Sequence, residues 1–379
     1  MSVVLAKPGK PVQSVTPVRC APVAASRWRT PSGRLSRSAA LLLGAVLVLL
    51  AMVWGAASGA YAIAPAQLPG IVWDGLRGLL GGAVQQGPEH LVFLNIRLPR
   101  LLMGVAAGAG LGLAGALMQG LFRNPLADPG LIGVSSGAAL AAGITIVLGG
   151  MYLPWLPRHL GSWALVVMAF GGGLAVTAVV YVLGQVQGTT RIGLMLLAGI
   201  AINALAGAGL GFLSFISTDE QLRNLQMWLL GSLGASRWSA VGLVGFAVAL
   251  STLAALALAR PLNAIALGEA QANLLGVAVE KTKRRTVLVA ALAVGAVTAT
   301  TGIIGFIGLV APHWVRLIAG PDHRVVLPGS ALLGAALVVS ADAVARTIVK
   351  PAELPLGVLT AFIGVPLFLA MLRQFRSKV

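Results

Sequence analysis

Arg97 and Arg100 stand three residues apart at the head of an apolar, Gly/Ala-rich run that reaches Gln119, and Asn124-Pro125-Leu126-Ala127-Asp128-Pro129 closes its far end. Guanidinium groups bind carboxylates through two parallel hydrogen bonds, so fixed arginines at the mouth of a membrane-length helix suit recognition of acidic groups outside the lipid. Snorkelling anchors are the alternative use of the same residues. The prolines of the far turn remove backbone donors and stiffen it, giving a rigid loop of the kind that can gate a pathway. Asp342 and Arg346 lie four apart and can pair along one helix. A haem or metal ligand is conceivable at His313, but His90, His159, His313 and His323 share no His-x₃-His spacing, so no metal site is expected. No phosphate-cradling P-loop motif is present and the few carboxylates form no catalytic pair. The chemistry on offer is recognition and passage rather than bond making, so the chain is not expected to be an enzyme.

The elements that must carry these residues are membrane helices. Of 379 residues 58% are hydrophobic and only 10% charged, with mean hydropathy +0.92, far from the quarter charged of soluble domains. Apolar runs of about 20 residues recur, each able to cross a hydrocarbon core of about 30 Å. Short alternating strands, the mark of a barrel, do not. The reading is an all-α polytopic membrane protein with about ten transmembrane helices, near 39–61, 93–119, 131–150, 162–183, 192–214, 239–259, 286–302, 305–319, 328–348 and 355–372. Residues 1–38 form a basic tail expected to be disordered and cytoplasmic, ahead of a membrane domain over 39–375.

The net charge of +17 follows the positive-inside rule rather than a nucleic-acid footprint. With an inner amino terminus, the inner regions hold 19 basic and 4 acidic residues and the outer ones 8 and 6. Both termini are therefore expected in the cytoplasm. A lone Cys20 excludes disulfides within the chain.

Gly104, Gly108 and Gly112 share a helix face, as do Gly133 with Gly137 and Gly207 with Gly211. Such faces bring backbones together in lipid, within one chain or across a dimer seam. The inner segment 260–285 has helical apolar spacing interrupted by Gly268 and Gly276, which predicts two short helices. They suit either the groove of a cytoplasmic partner or the headgroup layer.

Arg97-Leu-Pro-Arg100, Gln119 with Asn124-Pro-Leu-Ala-Asp-Pro129, Gly133-Val-Ser-Ser-Gly137, Trp228-Leu-Leu-Gly-Ser232, Gly268-Glu-Ala-Gln-Ala272 with Leu275-Gly276, Gly302 to Arg316, Asp342-Ala-Val-Ala-Arg346 and Glu353-Leu-Pro-Leu-Gly357 run in order along the chain. Together they resemble the FecCD family, permease subunits of ABC importers for ferric siderophores, haem and vitamin B12. The resemblance spans about residues 60–375 and leaves out the basic tail. It implies the type II ABC importer permease fold, a homodimer, two cytoplasmic ATPase subunits that carry ATP and Mg²⁺, and a periplasmic substrate-binding protein at the bacterial inner membrane. By that resemblance Arg97, Arg100 and Arg346 receive acidic residues of the binding protein. Gly268, Glu269, Ala272, Leu275 and Gly276 belong to coupling helices, about 262–282, seated on the ATPase. Asn124, Leu126 and Thr190 belong to the cytoplasmic gate, and Met195, Gly199, Asn203 and Leu225 line the pathway. The stretches from Gly302 to His313 and from Gly320 to Arg324 look most like haem-type permeases, which makes haem the expected cargo, carried by alternating access. A ferric siderophore or cobalamin is the runner-up. An ion-coupled secondary transporter would instead want a free mid-span carboxylate, and a haem oxidoreductase would want paired histidines.

Overall fold

A computed structural model describes residues 33–59, 61, 63–79, 87–152, 154–349 and 352–376, so most of the expected tail over 1–38 lies outside the described residues. The chain begins with α1 (Arg37–Ala57), α2 (Leu68–Leu79) and α3 (Pro88–Val92), which continues through a π turn (Phe93–Arg97) into α4 (Leu98–Phe122). A 3₁₀ turn (Pro129–Ile132) leads to α5 (Val134–Val147), α6 (Gly149–Tyr152), α7 (Trp155–Leu160) and α8 (Trp163–Leu183). A two-stranded antiparallel hairpin, β1 (Gln185–Val186) and β2 (Thr189–Thr190), pairs Gln185 with Thr190. Then come α9 (Ile192–Ile216), α10 (Asp219–Leu229), α11 (Trp238–Ala266), α12 (Glu269–Leu274), α13 (Val279–Thr301), α14 (Ile307–Ala319), α15 (His323–Ile348) and α16 (Leu356–Arg376).

Each of the ten expected spans holds a helix, and among the described residues six helices are long and apolar enough to cross a membrane. One expectation is corrected. Residues 260–285 do not form two short helices: α11 runs on through Pro261 to Ala266, and α13 begins at Val279, leaving only α12 between Gly268 and Gly276. A proline costs a helix one donor and one turn of contact, and the packing of Leu258, Leu262 and Ile265 into the core carries α11 past it.

The core is built around α4. Every residue from Gly110 to Phe122 is buried, so the helix is apolar on all sides because neighbours cover all sides. Its glycines set how close those neighbours come. A Cβ on Gly108 would sit 2.2 Å from the Gly334 carbonyl, on Gly112 2.1 Å from that of Ser330, and on Gly115 1.9 Å from that of Gly308. The first glycine face therefore serves packing within the chain against α15, and Gly115 brings α14 close. Gly137 likewise meets the Gly172 carbonyl of α8. Gly207 and Gly211 differ, having open space where a Cβ would go.

Candidate functional site

At the expected outer end, several of the sequence motifs meet at one corner. The last carbonyls of α1 have no partners within their own helix, and two arginines from elsewhere supply donors. Arg97 donates to the carbonyls of Ala56 and Tyr61, and Arg346 donates to those of Ser58 at 2.9 Å and Gly55 at 3.1 Å. Cations there also oppose the negative end of the helix dipole. Arg346 pairs with Asp342 at 3.0 Å. Arg100 binds both oxygens of Glu353 at 2.9 Å and reaches Asp342 at 2.8 Å. The backbone closes the corner: Ser232 N–H donates to the Thr301 carbonyl, Leu356 N–H to that of Gly231, and Leu354 N–H to that of Ala345. Gly302, at φ +71°, lies so close to the Trp228 carbonyl that a Cβ would approach it to 2.1 Å. That contact explains why the motif begins with glycine.

The expected pairing of Asp342 with Arg346 is present, and Arg97 and Arg100, expected at the outer mouth, are held by partners within the protomer. Arg97 is 4% exposed and Arg346 8%, and both are spent on the end of α1. Arg100 is nearly covered, and the accessible group beside it is the half-exposed Glu353 carboxylate.

At the opposite end the inner segment forms a second polar assembly. Gly268, at φ +122°, and Gly276, at φ +77°, bound α12, and both conformations disfavour side chains. Ala272 is fully buried beneath α12, beside Ile265 and Val279, while Leu267, Leu274 and Leu275 are exposed at 68%, 89% and 65%. A short helix is thus pinned by one small residue, and it and its two flanks present three leucines outward. Glu269 reaches Lys283 at 2.8 Å, and Glu280 reaches it at 3.0 Å. The same ammonium donates to the Thr190 carbonyl at 2.9 Å, and Thr190 N–H donates to Glu280 at 2.9 Å. Lys283 is 2% exposed. Burial pushes the Glu280 carboxyl up, but the hydrogen bonds from Thr190 and Lys283 outweigh it and hold its pKa below the usual range. One buried cation therefore ties α12, the start of α13 and the hairpin together.

Sequence reasoning missed Lys283, counting it among the basic residues of the inner face. A signal was present: Val279, Lys283, Thr286 and Ala290 follow helical spacing on a face that is buried throughout.

The expected gate residues have different partners. Thr190 is buried in the Lys283 assembly. Asn124 is exposed and folds its own turn, its Oδ1 accepting from Leu126 N–H at 2.9 Å, and Leu126 is half-buried. Asp128 caps the following turn by accepting from Gly130 N–H at 2.7 Å.

The expected pathway residues pack against elements of their own protomer. Met195, Gly199 and Asn203 form one stripe of α9 that faces its own protomer. Gly199 abuts the Leu131 carbonyl, and Asn203 donates to the Gly130 carbonyl at 3.2 Å and accepts from Ser136 Oγ. Leu225, fully buried with Val147 and Leu213, anchors α10. The reason is steric, since glycine on this stripe is what lets the 3₁₀ turn approach α9. The exposed face of α9 carries Leu197, Ile200, Ala204, Gly207 and Gly211.

Among the described residues no group of three His, Cys, Asp or Glu could hold a metal ion. His313 is buried in α14.

The arrangement defines a multi-pass helical membrane protein whose two polar ends are organised by buried cations. Residues 43–374 match the FecCD transport family, and the chain belongs to that family: it is a permease subunit of an ABC importer of the FecCD type. It is 43% identical over 339 residues to the hemin transport system permease protein HmuU of Yersinia pestis, covering 89% of this chain and 97% of that one. It is 40% identical to the cobalamin import system permease protein BtuC of Halobacterium salinarum, over 80% of each chain. A solved inward-facing structure of a metal-chelate type ABC transporter superposes with a TM-score of 0.75 at 29% identity, covering 88% of this chain and 98% of that one.

Proposed function

We propose that this permease carries haem across the bacterial inner membrane by alternating access, as a homodimer with two cytoplasmic ATPase subunits and a periplasmic substrate-binding protein. In this reading residues 39–375 cross the membrane ten times, both termini are cytoplasmic, ATP and Mg²⁺ bind only on the ATPases, and haem is cargo rather than cofactor. The observation that carries the mechanism is the shared Lys283 ammonium. The exposed leucines of α12 seat in the ATPase, and any displacement of α12 is passed through Lys283 to Thr190 and the inner gate, where Asn124 and Leu126 stand. A population shift of this kind needs contacts that differ between states, and a hydrogen-bonded charge cluster is sensitive to small displacements because its strength depends on distance and angle.

Docking is assigned to the outer corner in a modified form. Arg97 and Arg346 position the end of α1, and Arg100 exchanges its accessible partner Glu353 for a carboxylate of the binding protein. The pathway is lined by the exposed face of α9, from Leu197 to Gly211, with Met195, Gly199, Asn203 and Leu225 shaping it from behind.

Haem is preferred over a ferric siderophore or cobalamin on likeness to the hemin permease, with the cobalamin relatives only slightly less similar. A proton- or ion-coupled carrier is disfavoured because Asp342, its one candidate carboxylate, is neutralised by both Arg100 and Arg346. The test is ATP-dependent uptake of haem, a ferric siderophore and cobalamin side by side, with the permease, its ATPase and its binding protein in liposomes. Uptake of haem alone is expected. Uptake of another cargo would overturn the haem assignment, and uptake without any ATPase would overturn the importer mechanism.

A further inference from the structure

A cleft of about 450 Å³ opens where α1 and α15 begin and α11 nears its end, lined by Arg37, Leu256, Ala257, Ala259, Arg260 and Arg324. The three arginines come from three helices distant in sequence, and all are exposed. Among the described residues none of them makes a salt bridge. Asp322, the acid of the adjoining loop, attracts Arg324 without forming a salt bridge to it: its Oδ1 caps α15 by accepting from Arg324 N–H at 2.9 Å and also accepts from Asn263 Nδ2 at 2.6 Å. The segment before α1 is held in place by Leu35 N–H, which donates to the Ile318 carbonyl at 3.0 Å. Three like charges are therefore gathered by fixed elements with no carboxylate salt-bridged to them. Two of them, Arg37 and Arg324, lie at helix amino termini, whose dipoles also favour an anion.

The surface running away from the arginines is apolar. On α11, Leu256, Leu253, Leu250 and Phe246 follow at helical spacing and are exposed at 41%, 68%, 48% and 72%. A site with guanidinium groups at one end and an apolar strip one helix face wide at the other matches an amphiphile with an anionic head. Free phosphate would use the arginines and leave the strip unused. We propose that the Arg37–Arg260–Arg324 cleft binds the phosphodiester headgroup of an anionic phospholipid, with an acyl chain along Leu256, Leu253, Leu250 and Phe246. Basic clefts between helices at a membrane edge favour such headgroups, each arginine adding to the attraction. The site rests on the membrane reading of the chain and is independent of the cargo.

The test is native mass spectrometry of the lipid-depleted protein titrated with phosphatidylglycerol, with phosphatidylcholine of the same chains, and with phosphatidylglycerol in millimolar inorganic phosphate. One phosphatidylglycerol per protomer should be retained about tenfold more tightly than phosphatidylcholine. The variant Arg37→Gln/Arg260→Gln/Arg324→Gln should lose that preference, while Arg158→Gln/Arg223→Gln/Arg237→Gln keeps it. No preference in the native protein, or full retention by the cleft variant, would overturn the proposal. Displacement by inorganic phosphate would make the cleft a phosphate site and overturn the lipid assignment. If the triple variant does not purify folded, the single Arg260→Gln variant and the native titration decide the matter. Lost lipid preference with intact uptake in phosphatidylcholine liposomes would leave the permease reading standing.

Discussion

Replacing Lys283 with Met removes a buried ammonium whose acceptors are Glu269, Glu280 and the Thr190 carbonyl. The carboxylates left behind are more than a third exposed and can be hydrated, so the loss of stability should be small. The reverse change is different in kind. Glu269→Gln with Glu280→Gln strands a buried charge, and such uncompensated charges cost about 3 kcal/mol or more. The double variant is expected to melt well below Lys283→Met in detergent, and equal melting temperatures would contradict the burial argument. In both variants ATP hydrolysis by the assembled importer should continue while uptake per ATP falls; unchanged stoichiometry would remove Lys283 from the mechanism. Acid should act on the same cluster. A carboxyl whose folded pKa is lowered contributes stability above its unfolded value, near 4.5 for Glu280, and that contribution is lost as the pH falls through the folded value. Thermal stability should therefore drop more steeply below that pH in the native protein than in Glu280→Gln.

Among the elements, the glycine faces make opposite predictions. Gly115→Val must displace the backbone of α14, because a Cβ alone would reach 1.9 Å from the Gly308 carbonyl, and overpacking of this order costs about 3 kcal/mol. Gly207→Ala meets nothing in the protomer and should hold or slightly raise its melting temperature. If the exposed face of α9 lines the dimer pathway, Gly207→Leu should lower uptake without loss of folded protein. Wild-type uptake from that variant would remove α9 from the pathway.

These glycines also separate what the chain specifies locally from what its tertiary contacts add. The helices and their order were legible because each span must bury or expose about 20 apolar residues, a constraint written locally in the chain. Which face of a helix meets its own protomer is set by partners distant in sequence, so Gly207 and Gly199 look alike until the Leu131 carbonyl is seen against one of them. For the same reason, Arg97 reads as an exposed recognition residue until the unsatisfied end of α1 is found beside it. The motifs themselves were all visible. That so many of them close one outer corner was not, because Arg100 meets Asp342 and Glu353 across more than 240 residues.

At the scale of the whole molecule, the corner and the cluster sit at opposite ends of α13, which holds Lys283 near its start and ends at Thr301, whose carbonyl accepts from Ser232 N–H. Arg100 opens α4, and Asp342 belongs to α15, which packs along α4 through Gly108, Gly112, Ser330 and Gly334. Packing that close is stiff and transmits displacement from one helix to the other. Arg100→Gln should therefore weaken capture of the binding protein in a pull-down and also loosen the packing of α16 through Glu353. If capture survives while Glu353→Gln leaves it unchanged too, the outer corner is not where the binding protein sits.

The shared ammonium of Lys283 has one more consequence. Because α12 and the hairpin compete for and stabilise the same charge, neither can change state without altering the free energy of the other, and equilibrium linkage runs both ways with equal magnitude. If the ATPase seats on α12 as proposed, whatever factor bound nucleotide imposes on the affinity for cargo, cargo must impose on the affinity for nucleotide. A loaded importer would then advertise its cargo to its motor, tightening or loosening ATP by the same ratio by which ATP favours or disfavours the cargo.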